Sequence, residues 1–178
     1  MKTTQLRLTL IVILALTAAS CTSQRKLMFC PSMTSVLDAV VATQFKEGAA
    51  AVPANALYTA KIADVSGDCS FDKQGKTSDS SVDVSFTATR PVAGDAAQYT
   101  VPYFIAVTQS NRIITRQARS VTIAFAAGET TAAAEDHVSS VALVTDGTNR
   151  PYDYQILVGF QLTKEQYDYN KTTGIFQQ

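Results

Sequence analysis

The chain of 178 residues has no tryptophan, one histidine, three cysteines and no net charge at neutral pH. Each shortage removes a class of function. With 15 Lys+Arg balanced by 15 Asp+Glu, the electrostatic footprint of a nucleic-acid binder is missing. A single histidine leaves little material for general-base catalysis, and no Gly-x-Ser-x-Gly elbow offers a nucleophile. That histidine, His137, follows Glu135 and Asp136 in what reads as an exposed acidic loop. Adjacent residues of an extended segment face opposite ways, so the three do not converge on a metal ion. Cys-x-x-Cys pairs, phosphate-cradling glycine loops and EF-hand spacings are absent too. Carboxylate pairs of the glycosidase kind form only through the fold, and spacing does not exclude them. The absence of tryptophan counts against a flat aromatic platform for sugars. Eight glycines and five prolines are too few for a low-complexity or collagen-like chain. The expectation is a protein without catalytic activity, cofactor or metal.

The N-terminus is rich in what the remainder lacks. Lys2 and Arg7 precede a twelve-residue, mostly apolar run, Leu8–Ala19. Crossing a bilayer takes about 20 apolar residues, so this run reads as a secretory signal and not as a membrane span. The segment Leu16-Thr17-Ala18-Ala19-Ser20-Cys21 resembles a bacterial lipobox, whose cysteine is acylated and becomes the new N-terminus. An ordinary signal peptidase acting after Ala18-Ala19-Ser20 is the competing reading, and it would release a soluble periplasmic protein. Two or three acyl chains give a durable anchor where one does not. Lipoprotein sorting resembles a rule in which Asp after the cysteine retains the protein at the inner membrane. Thr22 and Ser23 stand there instead, which favours the periplasmic face of the outer membrane. Removal of residues 1–20 leaves 13 basic and 15 acidic groups, a net charge of −2.

Lipidation of Cys21 leaves Cys30 and Cys69 as the one remaining pair, and an oxidising periplasm favours a disulfide between them. A metal or redox site is the alternative. Residues 21–29 form a tether of at most about 30 Å, which holds the domain near the bilayer with Arg25 and Lys26 close to headgroups.

From Cys30 to residue 178 the pattern is that of one domain. Met33, Val36, Leu37, Val40, Val41 and Phe45 recur at helical spacing, with Ser35 and Asp38 as a capping box and an end near Gly48. The β-branched content makes that helix dependent on docking, and it lacks the basic face of a membrane-surface helix. Beyond Ala54 the period becomes two, clearest at Val82, Val84, Phe86 and Ala88. Further strands are expected at residues 57–65, 100–109, 112–125, 137–144 and 152–162. Turn signals separate them at Ser66-Gly67-Asp68, Lys73-Gln74-Gly75, Ala93-Gly94-Asp95, Ser110-Asn111, Ala127-Gly128 and Asp146-Gly147. Residues 73–81 and 128–136 read as exposed loops. Pro102 places its strand at an edge or beside a bulge. Thr163 caps a short helical turn that starts Lys164-Glu165-Gln166. The predicted fold is mainly β: an antiparallel sandwich of immunoglobulin or fibronectin-III type, preceded by one short helix and followed by a helical turn.

The elements Cys30-Pro31, Val65-Ser66-Gly67-Asp68-Cys69, Pro102-Tyr103-Phe104-Ile105-Ala106-Val107 and Gly159-Phe160-Gln161-Leu162-Thr163, with Gln166 and Tyr169-Asn170, resemble an uncharacterised family of small alphaproteobacterial lipoproteins. The resemblance covers roughly residues 30–170. It implies a lipid-anchored envelope protein with paired cysteines, and it carries over no activity.

Tyr152, Tyr154, Tyr167 and Tyr169 alternate near the C-terminus and are the candidate partner surface, since tyrosine is enriched at interface hot spots. The bland alternative makes Tyr152 and Tyr154 half-buried residues with wet hydroxyls. The expected function is contact with a protein partner in the envelope, as an accessory or assembly factor. A module that binds peptidoglycan or a small ligand is the other reading. The first predicts an open edge strand or aromatic patch, the second a concave pocket.

Overall fold

A computed structural model describes residues 29–72, 76–145 and 149–174 of the chain. The signal segment, Cys21, Arg25, Lys26 and the turns at residues 73–75 and 146–147 lie outside the described residues.

Among the described residues, nine strands form two sheets packed face to face. The strands are β1 (Ser32–Ser35), β2 (Val41–Phe45), β3 (Ala56–Ser66), β4 (Cys69–Phe71), β5 (Thr77–Thr89), β6 (Ala97–Gln109), β7 (Arg112–Phe125), β8 (Thr131–Val144) and β9 (Tyr154–Phe160). Sheet one runs β1-β9-β6-β7, and sheet two runs β2-β3-β5-β8 with β4 also beside β5. All pairs are antiparallel except β1 with β9. The expected antiparallel sandwich is therefore present. Its last two strands lie in different sheets, because β9 returns between β1 and β6.

Alternation built these strands. In β5, Ser78, Ser80, Val82, Val84, Phe86 and Ala88 all face inward. The two sheets meet there, with the Phe86 ring 5.2 Å from Tyr103 and 5.8 Å from Phe160. At the β6–β7 hairpin, Ser110 and Asn111 adopt φ of 48° and 64°, the backbone of a two-residue turn whose twist matches its strands. β3 and β4 act as one strand interrupted at Gly67. A Cβ at that position would lie 2.0 Å from the Ser81 carbonyl oxygen.

Cys30 and Cys69 form a disulfide, with Cα atoms 5.7 Å apart and a sequence separation of 39. The bridge ties the chain just before β1 in sheet one to β4 in sheet two.

Four expectations need correction. The helix expected from Met33 to Phe45 is instead β1, a 3-10 turn at Leu37–Ala39, and β2. Val41, Ala42, Thr43 and Phe45 are all buried in β2, and Val36 caps the turn with no side-chain hydrogen bond, so the Ser35–Asp38 box does not form. A short β-branched run carries the same apolar spacing as a helix, and burial on both sides of β2 decides for the strand. Second, Thr77–Ser81 and Thr131–Asp136 are strand and not loop, because β5 and β8 pair along their whole length. Third, Pro102 lies on β6, an interior strand, but at a locally open place. β9 ends at Phe160, and Gln161 N–H donates to the Pro102 carbonyl, so the missing N–H falls opposite Gln161, one residue past the end of β9. Fourth, the C-terminal turn is a ten-residue helix, α1 (Lys164–Thr173).

The sequence reading of the helix start holds. Thr163 and Gln166 cap reciprocally, and Gly174 ends the helix in a left-handed conformation at φ 67°. α1 lies along β2, the edge of sheet two. Gln166 Nε2 donates to the Thr43 carbonyl at 3.0 Å, and Asn170 Nδ2 donates to the Val41 carbonyl at 2.9 Å. The Tyr169 ring packs edge-on against Phe45 at 4.9 Å. These carbonyls point away from β3, so the helix supplies donors that a further strand would otherwise have to bring.

Candidate functional site

Among the described residues, none covers the opposite flank in this way. There β7 and β8 are the edge strands of their sheets. From Arg112 to Ala118 every residue of β7 is exposed. Part of its backbone faces outward, and the register shows which part. Pro102 turns its carbonyl toward β9, so its partner Ser120 turns N–H and C=O away from β6, and by alternation Ala118 and Arg116 do the same. A bulge at Ile114 bounds this stretch, because Val107 pairs with Thr115 while Thr108 pairs with Ile113.

The edge is also basic. Sheet one contains three charged residues, Arg112, Arg116 and Arg119, all on β7. Sheet two carries Asp64, Asp79, Asp83, Glu135 and Asp136 against Lys61. The Arg116 guanidinium lies over the Phe104 ring, 4.4 Å from its centroid. That contact holds the cation on the surface at little cost in freedom.

Arg119 is engaged differently and closes the flank at mid-height. Its Nε donates to the Tyr103 hydroxyl at 3.0 Å and to Asp136 Oδ2 at 3.1 Å, and Nη2 reaches the same carboxylate at 3.0 Å. The Tyr103 hydroxyl donates to Asp136 Oδ2 at 2.5 Å. Tyr103 is fully buried, and burial together with the Asp136 carboxylate pushes its pKa up to about 12, against the opposing effect of Arg119. At neutral pH it is a hydrogen-bond donor and not a base. The cluster staples β7 to β8 and uses its polar groups on one another.

His137 sits on β8 and not in a loop; its Nδ1 lies 2.6 Å from Asp83 Oδ1 on the exposed outer face of sheet two. Asp136 on the same strand turns inward to Tyr103, so the neighbours do face opposite ways. Among the described residues, no three His, Cys, Asp or Glu side chains gather to hold a metal ion.

The four C-terminal tyrosines are distributed across different environments. Tyr154 is 5% exposed and belongs to the core on β9. Tyr152 is exposed, edge-on to Phe29 at 6.3 Å, with Arg150 over its ring. Tyr169 is half-buried against Phe45, while Tyr167 is exposed beside Lys171.

Two grooves flank α1. One, of 690 Å³, lies between the helix and Val52-Pro53, and its Lys164 and Asp168 are bonded to each other. The other, of 470 Å³, lies between Lys46–Ala50 and Gln166.

Set against family models, curated proteins and solved structures, the chain matches none. Function is therefore argued from the site itself. Sequence reading missed both the Tyr103–Arg119–Asp136 cluster and the β7 edge. One signal was available: from Ala97 to Phe125 the sequence holds three arginines and no carboxylate.

Proposed function

We propose that this chain is a lipid-anchored envelope protein, held at the periplasmic face of the outer membrane through Cys21. It acts without catalysis by binding another protein along the open edge of β7. The uncovered edge carries the reading. A sheet edge with free N–H and C=O groups is a template for strand addition, and folded proteins usually blunt or cover it. Among the described residues, α1 covers β2 and residues 115–118 of β7 are exposed. The partner segment that suits this edge is extended and carries a carboxylate to meet Arg116. The run Leu16-Thr17-Ala18-Ala19-Ser20-Cys21, which resembles a lipobox, supports the anchor.

Labelling with radioactive palmitate tests the anchor. The full-length chain is expected to incorporate label and Cys21→Ser to lose it. Label retained by that variant would refute the assignment.

A further inference from the structure

Of the large apolar side chains that the structure leaves exposed, five converge on one end of the sandwich. Across sheet one, Ser32 pairs with Gln155, Gln155 with Thr108, and Thr108 with Ile113, so the start of β1 and the tip of the β6–β7 hairpin share that end. Across sheet two, Cys69 pairs with Ser80 and Val144 with Thr77, and the Cys30–Cys69 bridge joins this end to the same place. Phe29, Ile113, Ile114, Val144 and Tyr152 stand here, exposed by 57%, 61%, 49%, 75% and 42%.

Charge at this end is mixed. Among the described residues, Lys76, Arg112 and Arg150 are its cations, and Asp68, Asp72, Asp79 and Asp153 its carboxylates. Asp72 accepts backbone N–H bonds from Lys76 and Thr77, Asp153 accepts one from Arg150, and Asp79 accepts the Ser140 hydroxyl. Arg150 lies over the Tyr152 ring, and that ring meets Phe29. Aromatic rings with arginines beside them are the residues that settle at the headgroup level of a bilayer.

We infer that this end is a membrane-docking surface, seated on the bilayer that holds the Cys21 anchor. The inference rests on the anchor reading above. Eight residues lie between Cys21 and Cys30, at most about 30 Å of chain, and the chain joins the domain at this end. Acyl chains confine the domain to the surface, so modest apolar contact suffices to fix its orientation. Seated this way, the sandwich stands upright and β7 presents its open edge sideways to partners.

The absence of tryptophan supplies the test. Tyr152→Trp, Ile113→Trp and Val92→Trp each place a lone indole on an exposed site. Val92 lies at the far end, on the loop that Arg90 pins to Gly94 and Ala126. The full-length lipidated chains are reconstituted in vesicles of phosphatidylethanolamine and phosphatidylglycerol with acyl chains brominated near the headgroup. The indoles at positions 152 and 113 are expected to lose more than half their emission, and the one at position 92 to keep it. Adding Ile113→Glu with Ile114→Glu to Tyr152→Trp should restore emission. Equal quenching at all three sites, or none in chains that float with the vesicles, overturns the docking surface. Chains that never float with the vesicles overturn the anchor instead.

Discussion

Removing the Cys30–Cys69 bridge should cost this domain about 4 kcal/mol. The bridge closes a loop of 39 residues. The chain-entropy treatment gives about 13 cal/mol/K for a loop of that length, which is the 4 kcal/mol at 25 °C. A domain of this size has about 5–15 kcal/mol in all, so the bridge is a large share. Native contacts survive its loss, since β4 remains paired to β5 at Cys69–Ser80, Ser70–Asp79 and Phe71–Ser78. The effect therefore falls on the unfolded chain. The test is urea unfolding of the chain without its first 28 residues, with Cys30→Ser and Cys69→Ser together. The account expects a lower midpoint and a steeper denaturant dependence, because the unbridged chain exposes more surface. A loss under about 1 kcal/mol would refute the entropic reasoning.

Three further outcomes follow from particular contacts. Gly67→Ala should destabilise by about 3 kcal/mol, the upper range of overpacking, because the new Cβ meets the Ser81 carbonyl oxygen at 2.0 Å; an unchanged urea midpoint would contradict it. Tyr103 is held neutral by a folded pKa of about 12 against an ordinary 10.0, so its contribution is whole below pH 10 and is lost as pH rises through 12. Wild type should lose stability across that window, and Tyr103→Phe should lose less; identical alkaline profiles would count against the cluster. Asn170→Ala removes the buried donor to the Val41 carbonyl and should cost about 1–3 kcal/mol, with more light scattering on heating as the β2 edge opens. Scattering equal to wild type would mean that α1 is not the cover.

The legibility of this fold in its sequence varied with how many faces each strand buries. Strands with one buried face, such as β5 at Val82–Ala88, announced themselves by strict alternation. β2 did not, because it is buried on both faces and its residues then satisfy helical spacing as well. The Thr163–Gln166 cap was legible because it is local, whereas the helix length was set by distant partners on β2. Pairing of cysteines could be counted, and their position at the tether end could not. The β7 edge depends on which strands lack neighbours. That is a property of topology, and only the missing carboxylates between Ala97 and Phe125 hinted at it.

The central claim is that β7 is the contact surface of the anchored protein. A photo-crosslinking residue placed at Gln117 on that edge, or at Asp64 on the exposed face of β3, tests it directly in intact cells. Full-length chains carrying the group at Gln117 should give a discrete protein adduct that Ala118→Pro abolishes, and those carrying it at Asp64 should give none. No adduct from Gln117, or the same adduct from both positions, would contradict the account.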